Sequence, residues 1–147
     1  MPILGEPELL HEMILVLCSK LENIQFNRIL GIESRGFLIG PLLAQRLKLP
    51  FSPIRKKGKL PGELYTVEYE LEYGKDVLEV QKHSLPDDSK CLIVDDLMAT
   101  GGSLLAAKKL VELAGSKVAA YAVVIELKSL KGASRLCGSP IISLFAY

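Results

Sequence analysis

Tryptophan is absent from this chain of 147 residues, histidine occurs only twice and cysteine three times. Two histidines and three widely spaced cysteines offer no metal-ligand spacing. An odd number of cysteines in hydrophobic surroundings reads as reduced, buried thiols rather than a disulfide framework. No apolar run approaches the roughly 18 residues that a membrane helix needs. Met1-Pro2-Ile3-Leu4-Gly5-Glu6-Pro7 lacks the basic start and long apolar stretch of a secretory signal. There is no excess of either charge: 18 Lys and Arg face 17 Asp and Glu, for a net +1. That balance argues against nucleic-acid binding by bulk electrostatics. The expected setting is cytoplasmic, without membrane or nucleic-acid partners.

Hydrophobic residues make up 49% of the chain and charged residues 24%, a proportion that suits a packed core and excludes disorder. Without repeats or linkers, residues 1–147 read as a single domain. Leu10, Met13, Ile14, Leu17, Cys18 and Leu21 recur at helical spacing behind Pro7, predicting a helix over Pro7–Leu21. A second helix is expected over 36–49, stopped before Pro50, and a third over 103–114. Strands are expected over Arg28–Ile32, 51–55, 91–95, 118–127 and 141–145. Between them, Val67, Tyr69, Leu71 and Tyr73 alternate with Glu68, Glu70 and Glu72, predicting a strand over 67–73. Gly74-Lys75-Asp76 then turns it into 77–81 as a hairpin. Strands alternating with helices predict an α/β fold, a mostly parallel sheet flanked by helices, with the hairpin as an excursion from it.

Chemistry concentrates in Cys91-Leu92-Ile93-Val94-Asp95-Asp96-Leu97-Met98-Ala99-Thr100-Gly101-Gly102-Ser103. A buried strand ends in two carboxylates, a loop of small residues comes next, and a helix begins. Ligands of open α/β sheets sit beyond the carboxyl ends of the strands. The N–H groups of Thr100, Gly101, Gly102 and Ser103 can converge on a phosphate at the positive end of the helix, and Thr100 and Ser103 add hydroxyl donors. Two acids beside a phosphate cradle make sense if they hydrogen-bond sugar hydroxyls or lie near a magnesium ion. The segment is neither a Walker loop nor a dinucleotide fingerprint.

This pattern resembles the phosphoribosyl-diphosphate signature of type I phosphoribosyltransferases. Four further segments resemble the adenine-specific family, in its order and at its spacing. They are Gly31-Ile32-Glu33-Ser34-Arg35-Gly36-Phe37, Ile54-Arg55-Lys56-Lys57-Gly58-Lys59-Leu60-Pro61-Gly62, Leu71-Glu72-Tyr73-Gly74-Lys75 and Glu126-Leu127-Lys128-Ser129-Leu130-Lys131-Gly132. The resemblance implies a purine salvage enzyme that converts adenine and phosphoribosyl diphosphate to AMP and pyrophosphate. It implies that Ala99, Thr100, Gly101, Gly102 and Ser103 hold the 5′-phosphate, that Asp95 and Asp96 face the ribose hydroxyls, and that Leu97 packs on the purine. Ser34, Arg35, Arg55, Lys56 and Lys59 would contact pyrophosphate, with a cis peptide before Ser34 and with Lys56 extending toward a partner subunit. Glu72 would act as the catalytic acid or base beside Arg35, and Tyr73 would shield the closed site. Magnesium would arrive mainly with the donor diphosphate, no side chain ligating it directly, and the chain would pair as a homodimer. His11 and His83 read as surface residues.

The resemblance departs at the amino terminus, where family members begin earlier with a segment that closes over the purine. Met1-Pro2-Ile3-Leu4 matches the family's chain immediately after that segment. Weak adenine binding with a preserved donor site is the expected consequence. The alternative is a shortened, weakly active or inactive relative, serving as a nucleotide-binding or dimerisation partner.

Overall fold

The computed structural model describes residues 2–147. The chain forms helices α1 (Pro7–Leu21), α2 (Gly36–Leu47) and α3 (Gly102–Leu113). The strands are β1 (Arg28–Ile32), β2 (Phe51–Lys56), β3 (Leu64–Leu71), β4 (Gly74–Gln81), β5 (Lys90–Met98), β6 (Lys117–Glu126) and β7 (Ile141–Ala146). Short 3-10 turns occupy Pro2–Gly5, Lys82–Ser84, Lys128–Leu130 and Gly132–Arg135.

All seven strands join one sheet in the order β3-β4-β2-β1-β5-β6-β7. The five strands from β2 to β7 pair in parallel. The hairpin is therefore no excursion: β4 continues the sheet antiparallel to β2 through Arg55↔Glu79 and Lys56↔Leu78.

Side-chain alternation divides the core into two layers. Ile29, Leu92, Val94, Ala120, Ala122 and Val124 face α1 and α2, whose Met13, Leu17, Ile39 and Leu43 cover them. Leu30, Ile32, Ile93, Tyr121 and Val123 face the other way, onto Leu104, Ala107 and Leu110 of α3 and Leu78 and Val80 of β4. Strands covered on both faces are apolar at nearly every position, which is why β5 and β6 read as continuous runs.

Several boundaries differ from expectation. α2 ends at Leu47 because Lys48 turns left-handed (φ 56°) and its N–H closes the helix onto Ala44 and Gln45. β5 runs on through Met98, past the two carboxylates. The hairpin turns at Glu72-Tyr73, two residues early, since Gly74 (φ 142°) already pairs with Leu71. Inward alternation holds for Tyr65, Val67 and Tyr69 but fails at Leu71 and at Tyr73, which is 97% exposed at the tip. The three cysteines are free, but only Cys91 is buried. Cys18 is half-buried, and Cys137 is exposed, its thiol donating to the Ser134 carbonyl. His11 and His83 are exposed as expected.

Candidate active site

The strand order places β1 at a switch point. From β1 the chain passes through α2 to β2 on one side, and β5 lies on the other. α2 and α3 cover opposite faces, so the segments following β1 and β5 diverge and open a crevice at the carboxyl edge. The crevice encloses about 610 Å³, lined by Ile32, Glu33, Ser34, Arg35, Lys56, Lys59, Tyr69, Asp95, Asp96, Leu97 and Ser103. Three segments far apart in sequence meet there because β1 is in register with β2 (Ile32↔Ile54) and with β5 (Gly31↔Val94). Gly36 allows the close crossing: a Cβ there would lie 2.6 Å from the Val94 carbonyl oxygen. The Glu33–Ser34 peptide is cis.

Cations and carboxylates are interleaved around the crevice. Arg35 Nε lies 2.5 Å from Asp96 Oδ2. Glu33 gathers three donors: the Lys59 ammonium, Arg55 Nε at 3.3 Å and the Lys56 backbone N–H at 3.0 Å. Burial pulls the Glu33 pKa upward, but these contacts outweigh it and hold the carboxyl down to about 2. The Lys56 ammonium pairs with Asp76 Oδ2 at 3.0 Å on β4.

Asp95 behaves oppositely. Burial is the main cause raising its pKa above the usual carboxylate range, and the Asp96 charge adds to it. The Asp96 N–H, bonded to Asp95 Oδ1 at 2.9 Å, and the Arg35 charge pull against it. Strongly perturbed carboxyls in a cleft mark functional sites more often than structural ones. Tyr69, pointing from β3 into the crevice, has its hydroxyl pushed up to about 12 by burial and by the charges of Asp76 and Asp95.

The small-residue loop lies beside this crevice. Gly101 (φ 78°) sits before α3, whose first turn has no side-chain cap, so its N–H groups remain available to an anion. The loop is braced from behind. A Cβ on Gly132 would lie 2.5 Å from the Ala99 carbonyl oxygen, one on Gly101 would lie 2.8 Å from the Gly132 carbonyl, and Arg135 Nη1 donates to the Thr100 carbonyl at 3.2 Å.

Of the residues singled out from sequence, Ser34, Arg35, Lys56, Lys59, Asp95, Asp96, Leu97 and Ser103 line one cavity. Leu97 faces this space half-exposed instead of joining the core, and Lys56 lines the crevice of its own chain. Arg55 stands behind the wall and reaches it through Glu33. Ala99, Thr100, Gly101 and Gly102 adjoin the cavity, and Gly102 opens on a smaller groove shared with Tyr69 and Arg135. Glu72 does not line the cavity; it lies exposed in the hairpin turn rather than on a strand face. Sequence reasoning missed Glu33 as the hub of the basic cluster, Tyr69 as a wall residue, and the brace from Gly132 and Arg135. The order of acids and bases along the chain carries no sign of the first. Inward alternation in β3 was the available signal for the second.

The chain belongs to the phosphoribosyl transferase domain family, whose model matches residues 12–137. Within that class it groups with the adenine phosphoribosyltransferases. It is 46% identical over 145 residues to the adenine phosphoribosyltransferase of Trichodesmium erythraeum, covering 99% of this chain and 85% of the relative. The crystal structure of the adenine phosphoribosyltransferase from Thermoanaerobacter pseudethanolicus superposes with a TM-score of 0.96 at 44% identity, over 99% of this chain and 85% of that one. The Saccharomyces cerevisiae enzyme, complexed with an imino-altritol bisphosphate and adenine, gives a TM-score of 0.90 at 44% identity, over 97% and 83%.

Proposed function

We infer that this chain transfers the phosphoribosyl group of phosphoribosyl diphosphate to adenine, yielding AMP and pyrophosphate in purine salvage. The observation that carries this reading is the crevice itself, with two adjacent carboxylates, a set of cations and an uncapped glycine loop at one switch point. In the reaction, ribose carbon 1 gains oxocarbenium character as pyrophosphate departs and the purine nitrogen attacks from the opposite face. The protein's task is to hold the reactants in line and to stabilise the leaving polyanion.

Each role rests on the chemistry of the group. The N–H groups and hydroxyls of Ala99, Thr100, Gly101, Gly102 and Ser103 hold the 5′-phosphate. Asp95 and Asp96 accept hydrogen bonds from the ribose hydroxyls. Arg35, Arg55, Lys56 and Lys59, with Ser34, neutralise pyrophosphate, and Leu97 packs against the purine. Glu72 handles the purine proton when the hairpin tip folds over the crevice, with Tyr73 excluding water.

Magnesium fits this site as a companion of the donor. Among the described residues no cluster of three His, Cys, Asp or Glu stands ready to cage a metal. Asp95 and Asp96 would add negative charge beside an ion held by water and the donor's own phosphates, neither carboxylate ligating it directly. When bound, magnesium supplies positive charge to the departing diphosphate.

The chain acts as one domain over residues 1–147, in the cytoplasm, and pairs as a homodimer. No helix among the described residues is long and apolar enough to cross a membrane. The three thiols are free, and Leu9, Val16 and Phe145 present apolar surface about half exposed. Sedimentation at micromolar concentration tests the pairing: a 16.1 kDa species alone would count against it.

Calorimetric titration with phosphoribosyl diphosphate and magnesium, then with adenine, combined with a chromatographic assay for AMP, tests the enzyme reading. Donor binding and AMP formation are expected. No donor binding at all would overturn the reading in favour of an inactive partner subunit.

A further inference from the structure

Every cation lining the crevice is neutralised by a carboxylate of the same chain. For Arg35 and Lys59 the partner, Asp96 or Glu33, is itself a wall of the crevice. Lys56 differs. Its partner, Asp76, belongs to the hairpin and lies outside the cavity lining. Asp76 is well held: Oδ1 accepts from the Val77 N–H at 2.8 Å, and Oδ2 accepts from Lys56 at 3.0 Å and makes a longer contact with the Tyr69 hydroxyl at 3.4 Å. Lys56, by contrast, has a side chain 51% exposed against 22% for Asp76. The fixed member of the pair is the carboxylate, and the movable member is the ammonium on its four-carbon stem.

We propose that Asp76 is a positioning residue that acts through Lys56: it competes with the diphosphate for the ammonium and takes it back when pyrophosphate leaves. The proposal rests on the reading of the crevice as a diphosphate site. A diphosphate brings several negative charges and draws Lys56 off Asp76. Asp76 then remains as an unpaired negative charge close to the polyanion, and like charges repel. The repulsion weakens the hold on donor and product alike. It matters most for the product, since an enzyme that binds pyrophosphate through several cations risks being limited by its release. The exchange involves no covalent change, only a cation passing between two anions.

The test is titration of magnesium pyrophosphate into the unchanged chain, Asp76→Asn, Lys56→Ala and the double variant, with steady-state kinetics on each. Asp76→Asn should bind pyrophosphate roughly two- to fivefold more tightly, the scale of one partly exposed charge pair. Both the donor KM and kcat should fall. In the Lys56→Ala background the Asp76 substitution should have a smaller effect, because the shared cation is gone. Asp76→Glu should restore the unchanged behaviour. Weaker pyrophosphate binding in Asp76→Asn would overturn the proposal, showing that the carboxylate presents Lys56 to the ligand instead of competing for it. An unaltered affinity would overturn it too, as would an equal effect with and without Lys56. Failure of the unchanged chain to bind pyrophosphate would instead sink the diphosphate reading of the crevice, and this proposal with it.

Discussion

Arg35 Nε and Asp96 Oδ2 stand 2.5 Å apart across the mouth of the crevice, joining residues 61 positions distant in sequence. Arg35 follows β1 and Asp96 lies in β5, so the pair spans the switch point and holds both sides of the crevice in one charge-assisted contact. Asp96→Asn and Arg35→Ala should each lower kcat/KM for the donor by roughly ten- to a hundredfold, the usual cost of one charge-assisted contact. Steady-state kinetics with varied donor at saturating adenine measures this. An effect confined to the adenine KM would contradict the assignment.

Glu72→Gln should behave differently. A proton-handling group acts as the bond is made, so donor binding should survive while kcat drops by roughly a hundredfold or more. Calorimetry for the donor beside single-turnover rates separates the two. Loss of donor affinity would mean that the hairpin tip touches the diphosphate instead.

The Glu33 hub makes a prediction about pH. Its carboxyl is held down to about 2, from an ordinary 4.5. Its contribution to stability is therefore complete above 4.5 and is lost as pH falls from there toward 2. Glu33→Gln should lower the melting temperature by a few degrees at neutral pH, and the gap should close across that acid window. Paired thermal melts from pH 7 down to pH 2 give the comparison; a gap that widens on acidification would exclude the hub.

Asp95 should show the reverse sign. Its pKa is raised above the ordinary 3.8, chiefly by burial. The folded state thus holds its proton more tightly than the unfolded state, and stability declines as pH rises from 3.8 toward neutrality. Asp95→Asn should melt at a higher temperature than the unchanged chain at pH 7.5 while losing most of its donor affinity. A lower melting temperature would show that the ionised carboxylate stabilises the fold.

Gly132→Ala tests the brace behind the small-residue loop and the phosphate role proposed for it. The added methyl meets a backbone oxygen at 2.5 Å, so the loop must shift. A cost of about 1–3 kcal/mol in stability is expected, with AMP binding weakened through its phosphate and free adenine binding preserved. Denaturant melts and the two titrations report it; unchanged AMP affinity would mean that the loop tolerates the shift.

Legibility from the sequence tracked physical range. α1 was visible to its ends because Pro7 and the 3.6-residue stripe act locally, and the small-residue loop before α3 because its residues are contiguous. The hairpin turn was misplaced because Gly74-Lys75-Asp76 has the composition of a turn, whereas Gly74 (φ 142°) already pairs with Leu71 and the chain reverses at Glu72-Tyr73. Extension of the sheet through Arg55↔Glu79 was invisible, since pairing partners leave no mark on either segment. Glu33 read as one residue of a motif; its neighbours Arg55 and Lys59 come from another strand and loop, brought near only by the β1–β2 register.

The place of β1 in the sheet also governs the order of assembly. Its partners begin at Phe51 on one side and at Cys91 on the other, across Ile29↔Phe51 and Arg28↔Cys91. The first contact closes a short crossover, but the second must close a loop of about sixty residues, and the entropy of such closure is lost before any pairing compensates it. The half of the crevice built on β1 and β2 can therefore form early, with Glu33 already holding Arg55 and Lys59 and Arg35 left without its carboxylate until Asp96 arrives with β5. A growing or partly folded chain would carry that one unpaired guanidinium at the edge of a half-built crevice.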